Sequence, residues 1–164
     1  EQMLMAAKVD SKAYELYLAP FDLSKALGAF VAKLKEQNIP INSKIENGLV
    51  INADEMAMMS IFSNLFDNAI KYGDKNKPIG VQLSGNQDKI TLEVADYGAG
   101  IHHLEKQKIF DRFYRIGNEE TRKTKGTGLG LYIVKTLVEM HHAVIEVKDN
   151  SPGGTVFVVQ FNIE

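Results

Sequence analysis

The apolar residues of this 164-residue chain change period several times along its length, and that alternation restricts the fold more than any other feature. From Asp22 to Gln37 they recur at helical spacing through Leu23, Ala26, Leu27, Phe30, Val31 and Leu34, with Asp22 placed to cap a helix. A second helical stretch opens at Asp54 and reaches Tyr72, with Met58, Ile61, Phe62, Leu65 and Ala69 on one face. A third runs from Leu129 to Met140. Elsewhere the period drops to two. Gly80 to Ser84 and Lys89 to Ala95 alternate as strands joined by a turn at Gly85 to Asp88, and Ala143 to Lys148 and Thr155 to Ile163 flank a turn at Asn150 to Gly154. Ile41 to Ile45 and Leu49 to Ile51 read as a hairpin around Asn47-Gly48. Residues 1–9, EQMLMAAKV, read as the end of a longer helix, whose stripe of Met3, Leu4, Ala7 and Met5 is too short to stand alone. An amphipathic helix must bury its stripe, so this order of elements predicts a two-layer α/β sandwich, with a mixed, mostly antiparallel sheet of about five strands covered on one face by three helices.

A hydrophobic content of 45% supports one packed domain, and a net charge of -2 provides no broad basic field, so nucleic acid is not an expected partner. The absence of cysteine removes disulfides and thiolate metal sites and fits a reducing compartment. No window approaches the roughly 20 apolar residues of a membrane span, and the first residues lack the order of a signal peptide. The expectation is a cytosolic piece with no direct membrane contact of its own. The four histidines, His102, His103, His141 and His142, have no metal-ligand spacing, and no serine or cysteine nucleophile constellation can be argued.

Three segments carry chemistry. In NLFDNAIKY, Asn64, Asn68 and Lys71 share one narrow face of the second helix, with Tyr72 next to it. Two amide oxygens and an ammonium converge there. Oxygen ligands suit a hard cation such as Mg²⁺, and a lysine can neutralise a phosphate, although the same pattern fits a solvated polar face. In KITLEVADYGAGI, Asp96 continues the inward parity of Ile90, Leu92 and Val94, so its carboxylate heads into covered space, where an exocyclic amine such as that of adenine is a suitable donor. Gly98 and Gly100 permit a tight turn beside a flat base, and a capping aspartate in a glycine turn is the plainer alternative. In KGTGLGLYIV, Gly126, Gly128 and Gly130 lead into the third helix, where free backbone N–H groups bind phosphate. No Lys-Ser or Lys-Thr follows them and no strand precedes them, which disfavours a Walker loop and a Rossmann turn. Asp96 to Lys125 is a long irregular stretch of the kind that is usually functional, and within it KIFDRFYR reads as a short amphipathic helix.

Taken in order, NLFDNAIKY, DYGAGI, IFDRFYR and GTGLG resemble the N, G1, F and G2 boxes of the histidine-kinase ATPase family, and the likeness runs from LAPFDL to GGTVFVVQF. The resemblance implies a Bergerat-type sandwich with ATP under a lid between the F and G2 boxes. It implies residues 1–12 as the end of the dimerisation helix and a linker, and 13–164 as the catalytic domain. By matching position, Asn68 would be the principal Mg²⁺ ligand with Asn64 assisting, Lys71 and Tyr72 would touch phosphate or nucleotide, and Asp96 would receive the adenine amine. Gly98, Gly100 and Ile101 would shape the base pocket; Gly126, Thr127, Gly128, Leu129 and Gly130 would support the phosphates; Thr155 would border the nucleotide. Phe110 and Phe113 would anchor the lid, and Arg115, Arg122 and Lys123 are further phosphate candidates. Two positions depart from the family: Gly73 stands where a small hydroxyl residue is frequent, and His142-Ala143 where a glycine pair is usual.

Related ATP hydrolases of the gyrase and heat-shock-chaperone type place a glutamate where Asn64 stands, and a neutral amide cannot take the proton of an attacking water. The implied activity is therefore that of a protein histidine kinase catalytic domain, holding Mg-ATP for in-line attack by a histidine on a dimerisation domain outside the chain. A response regulator receiver domain follows as the downstream partner, and a bacterial inner-membrane sensor as the parent. The rivals are a serine or threonine kinase of the same superfamily and a module that binds no nucleotide.

Overall fold

A computed structural model of the chain describes residues 1–117 and 126–163. In chain order the elements are α1 (Gln2–Asp10), β1 (Ala19–Asp22), α2 (Leu23–Glu36), β2 (Ile41–Ile45), β3 (Val50–Ala53), α3 (Glu55–Tyr72), β4 (Ile79–Gly85), β5 (Lys89–Ala95), a 3₁₀ turn (Lys108–Phe110), α4 (Gly130–Met140), β6 (Val144–Asp149) and β7 (Thr155–Asn162). The main sheet has the order β2-β4-β5-β7-β6, antiparallel throughout except for the parallel pair β2 and β4. Its inward residues, among them Val81, Leu83, Ile90, Leu92, Val94, Phe157, Val159 and Phe161, are buried with α2, α3 and α4 in one core. The expected two-layer sandwich is what forms.

The caps explain where the long helices begin. Asp22 accepts from the backbone N–H of Lys25 at 2.9 Å and Asp54 from that of Ala57 at 2.8 Å, so each satisfies an N–H that a helix start leaves open. Leu23, Leu27, Met58, Ile61, Phe62 and Leu65 are fully buried, and the Phe30 ring meets Phe62 and Phe66 at centroid separations of 5.8 and 5.3 Å. The far end of α4 is tied to the start of α3. His141 Nε2 accepts from the Asp54 N–H at 3.1 Å while its Nδ1 lies 2.7 Å from the Leu137 carbonyl oxygen.

Three local features depart from the sequence reading. The hairpin of residues 41–51 does not form: β2 pairs with β4, and β3 pairs antiparallel with β1 in a separate ribbon, Ala19 opposite Ala53. The turn between them is held by α2 instead. Ser24 Oγ donates to the Glu46 carbonyl at 2.6 Å and accepts from the Leu49 N–H at 3.0 Å, and the Leu49 carbonyl accepts from the Leu23 N–H at 2.9 Å, so the flanking strands diverge to different partners. Strand β1 itself carried no sequence signal, because Pro20 removes a donor and is tolerated only in such short edge pairings. Thirdly, Met3 and Leu4 are 63% and 61% exposed; α1 buries Ala6 and Val9 against α4, a face chosen by its neighbour. At the unusual position after α4, His142 adopts the left-handed φ of 55° that a glycine takes without strain, and Ala143 is buried.

Candidate functional site

A cleft of about 520 Å³ opens between α3, the segment after β5, and the start of α4. From α3 it receives Asn64, Asp67, Asn68, Lys71 and Tyr72, from the β5 exit Asp96, Ala99, Gly100 and Ile101, and from β7 Thr155. Its remaining wall comes from Ile109, Tyr114, Arg115, Ile116, Gly126, Thr127, Gly128, Gly130 and Leu131, with Gln2 of α1 at the rim. The three sequence motifs thus converge.

Helical spacing brings the α3 groups together, and their surroundings differ. Asn64 is buried: its Nδ2 donates to the Ser60 carbonyl at 2.8 Å, which leaves Oδ1 aimed away from its own helix. Asn68 is half-buried and Lys71 exposed, one turn apart along the same wall. Gly130 lets α4 start against this wall, since a Cβ there would lie 2.9 Å from Asn64 Oδ1.

Asp96 sits at the closed end. It follows the inward parity of β5 and is 4% exposed, with its Oδ1 accepting from the Gly98 N–H at 2.9 Å. Burial raises its carboxyl above the ordinary value, and the N–H groups of Gly98 and Thr155 oppose that rise. Its backbone is held from three sides, by paired bonds with Thr155 at 2.9 and 3.3 Å and by Asn150 Nδ2 on its carbonyl at 2.8 Å. Gly98 passes so close to the end of α3 that a Cβ would lie 1.9 Å from the Tyr72 carbonyl oxygen. Gly73 serves the same approach: a Cβ there would meet the Ala69 carbonyl at 2.5 Å and Asp96 Cβ at 3.1 Å. A shaped, apolar-walled space with one buried carboxylate at its end and neutral amides plus an ammonium at its mouth can hold a flat, amine-bearing ring and an anionic tail.

Of the residues singled out in the sequence, Gly98, Leu129, Phe110 and Phe113 do not line the cleft. Phe110 is buried edge-on to Phe157, whereas the Phe113 side chain is 58% exposed and only its backbone engages, donating to the Gly128 carbonyl at 2.9 Å. KIFDRFYR holds a single 3₁₀ turn and not a longer helix. Arg122 and Lys123 lie outside the described residues. Sequence reasoning missed Gln2, Asp67, Ala99, Ile109, Tyr114, Ile116 and Leu131 as cleft-lining residues. Asp67 was available, since it lies one turn before Lys71; Tyr114, whose hydroxyl bonds Glu105, and Gln2 depend on long-range packing.

Residues 53–164 match the family model described as histidine kinase-, DNA gyrase B-, and HSP90-like ATPase. An uncharacterized sensor-like histidine kinase of Rhizobium meliloti strain 1021 is 37% identical over 162 residues, 96% of this chain and 31% of that protein. Sensor histidine kinase YkoH of Bacillus subtilis strain 168 is 35% identical over 98% of this chain and 35% of its own length. The chain thus spans about a third of the length of these curated relatives. Full-length ShkA, solved in complex with AMPPNP, superposes with a TM-score of 0.80 at 28% identity, covering 98% of this chain and 34% of that one. The chain therefore belongs to the histidine kinase-, DNA gyrase B-, and HSP90-like ATPase family.

Proposed function

We propose that the cleft binds Mg-ATP and presents its γ-phosphate to a histidine on a dimerisation domain, the phosphoryl-donating half of two-component signalling. The observation that carries this reading is the convergence of Asn64, Asn68 and Lys71 on one wall, buried Asp96 at the closed end, and the glycine-rich start of α4 opposite. In this reading Asp96 accepts a hydrogen bond from the adenine amine, in a pocket bordered by Gly100, Ile101 and Thr155, with Gly98 behind it holding Asp96 Oδ1. Asn68 is the principal metal ligand with Asn64 beside it; Lys71, Tyr72 and Arg115 face the phosphates, as do the N–H groups between Gly126 and Gly130. Arg122 and Lys123, outside the described residues, are proposed as further phosphate-binding groups. Asn68 and Asn64 would hold a magnesium ion, which would supply charge neutralisation for the transferred phosphoryl group.

The chain's own residues supply positioning. Neutral Asn64 accepts no proton from water, so ATP is held for an external nucleophile and is not hydrolysed at speed. The proposal extends to the division at residues 12 and 13 between dimerisation helix and catalytic domain, to a receiver domain as the later phosphoryl acceptor, and to a cytoplasmic position in a membrane-anchored sensor. Among the described residues no helix is long and apolar enough to cross a membrane.

Calorimetric titration of Mg-ADP, or of a non-hydrolysable ATP analogue, into wild type, Asn68→Ala and Asp96→Ala tests the reading. Saturable binding that Asp96→Ala abolishes, and whose metal dependence Asn68→Ala removes, is the expected result. A folded wild type that binds neither ligand would leave an interaction module as the function.

A further inference from the structure

The chain from Asp96 to Gly100, at the closed end of the cleft, is moulded against the turn between β6 and β7. A Cβ on Gly154 would lie 2.1 Å from the Asp96 carbonyl oxygen and 2.7 Å from Tyr97 Cα, and one on Gly100 would lie 3.3 Å from the Gly154 carbonyl oxygen. Gly154 also holds a φ of 106°, so backbone meets backbone here with no side chain between.

One side chain of the turn joins the two pieces. Asn150 Nδ2 donates to the Asp96 carbonyl oxygen at 2.8 Å, closer than the Thr155 N–H, which reaches the same oxygen at 3.3 Å. The amide has a single orientation: its Oδ1 accepts from the Ser151 N–H at 2.9 Å, and a backbone N–H can only donate as a carbonyl can only accept. The N–H of Asn150 donates in turn to the Gly154 carbonyl at 3.1 Å, so the donor reaches Asp96 from a fixed frame. Asn150 has no place in the cleft lining. It borders a groove on the sheet face turned away from the helices, beside Gly80, Ala95 and Val156.

Strand β5 ends at Ala95, and beyond it the main chain of Asp96 depends on Thr155 and Asn150 before two glycines in the next four residues loosen the path. The Asp96 carboxylate also holds the Gly98 N–H, so its direction follows from that backbone. An ionised carboxylate accepts and never donates, and it therefore distinguishes a purine with an amino group at C6 from one with a carbonyl there, provided that it stands within hydrogen-bond reach. A small shift of the Asp96 main chain weakens that distinction and leaves the groups on α3 and α4 where they are.

We propose that Asn150 is a positioning residue for base recognition, which holds the Asp96 main chain from outside the cleft so that the carboxylate selects a 6-amino over a 6-oxo purine. The proposal rests on the nucleotide reading given above and assigns part of its base selectivity to the turn between β6 and β7.

The test titrates Mg-ADP and Mg-IDP, which differ at C6 of the purine, into the 164-residue chain as wild type, Asn150→Asp and Asn150→Ala. Asn150→Asp keeps the shape and the acceptor for Ser151 and loses the donor to Asp96; Asn150→Ala loses the donor without adding a charge. Wild type should prefer ADP about ten-fold or more. In both variants ADP affinity should fall about five-fold, as for one lost hydrogen bond, with IDP affinity unchanged. A merely structural role would weaken both nucleotides alike or neither. In wild type, the side-chain amide resonance of Asn150 should move on saturation with ADP and stay in place with IDP, which reads the same coupling without a substitution. An unchanged ADP-to-IDP ratio in the folded variants, or an Asn150 resonance indifferent to the base, would overturn the proposal while leaving nucleotide binding intact. Equal affinity of wild type for the two nucleotides would overturn it as well, since no selectivity would remain to be positioned. A wild type that binds neither would remove the nucleotide reading and the proposal with it.

Discussion

The amide of Phe113 donates to the carbonyl oxygen of Gly128 at 2.9 Å, and both residues hold a left-handed backbone, with φ of 63° and 74°. The two ends of the segment 114–127 are therefore fastened to each other before the cleft is filled. The fit leaves no room at 128: a Cβ there would lie 2.7 Å from the Phe113 carbonyl carbon.

Gly128→Ala should consequently break this closure, through both the collision and the positive φ. The expected cost is about 1–3 kcal/mol of stability in thermal unfolding. Nucleotide affinity should fall with it, by calorimetry. Wild-type affinity in a folded Gly128→Ala would show that the closure is irrelevant to the site.

Asp96→Asn should separate binding from stability. The carboxyl of Asp96 is raised by burial, so the folded state holds its proton more tightly than the unfolded chain does. That contribution is complete below the ordinary value of 3.8 and is lost as pH rises through the raised one. Compared with wild type, Asp96→Asn should gain in melting temperature as pH rises from the acid range toward neutrality. It should also bind the nucleotide about ten-fold or more weakly, having lost a charged acceptor. Parallel pH curves for the two proteins would contradict the buried-carboxylate account.

His141→Ala probes the frame without touching the cleft. It leaves the N–H of buried Asp54 without its acceptor, at an expected cost of about 1–3 kcal/mol in denaturant unfolding. Affinity for Mg-ADP should remain that of wild type, since His141 does not line the cleft. A change in affinity larger than the change in stability would indicate that the α3–α4 tie reaches the site.

Incubated with ATP, the chain should acquire no phosphohistidine. His141 is held between Asp54 and Leu137, and His102 and His103 stack on each other at 4.4 Å outside the cleft lining. Mass spectrometry under alkaline conditions that preserve phosphoramidates should find the chain unmodified, and a stoichiometric histidine adduct would refute the division of labour proposed for it.

Residues 55–72, 89–95 and 130–140 were legible as sequence because one-sided burial leaves a period in the apolar residues, and capping residues such as Asp22 and Asp54 act within three positions of themselves. For the same reason Asn64, Asn68 and Lys71 could be placed on one wall, and Asp96 in the interior, without coordinates. These are consequences of local geometry, and local geometry is written in spacing. The partners of β2 and β3, the face on which α1 lies, the Phe113–Gly128 closure and the arrival of Gln2 at Asn64 were not legible. Each joins residues far apart in the chain: Gln2 and Asn64 are 62 positions apart, and Ser24 organises a turn more than 20 residues away. Several surfaces compete for a short strand or a nine-residue helix, and the choice depends on which combination buries most and leaves fewest polar groups unpaired. The sequence by itself determined the layers and the chemistry aimed into the cleft. Only the tertiary structure decided what closes over that chemistry, because such contacts acquire their energy from packing between distant segments.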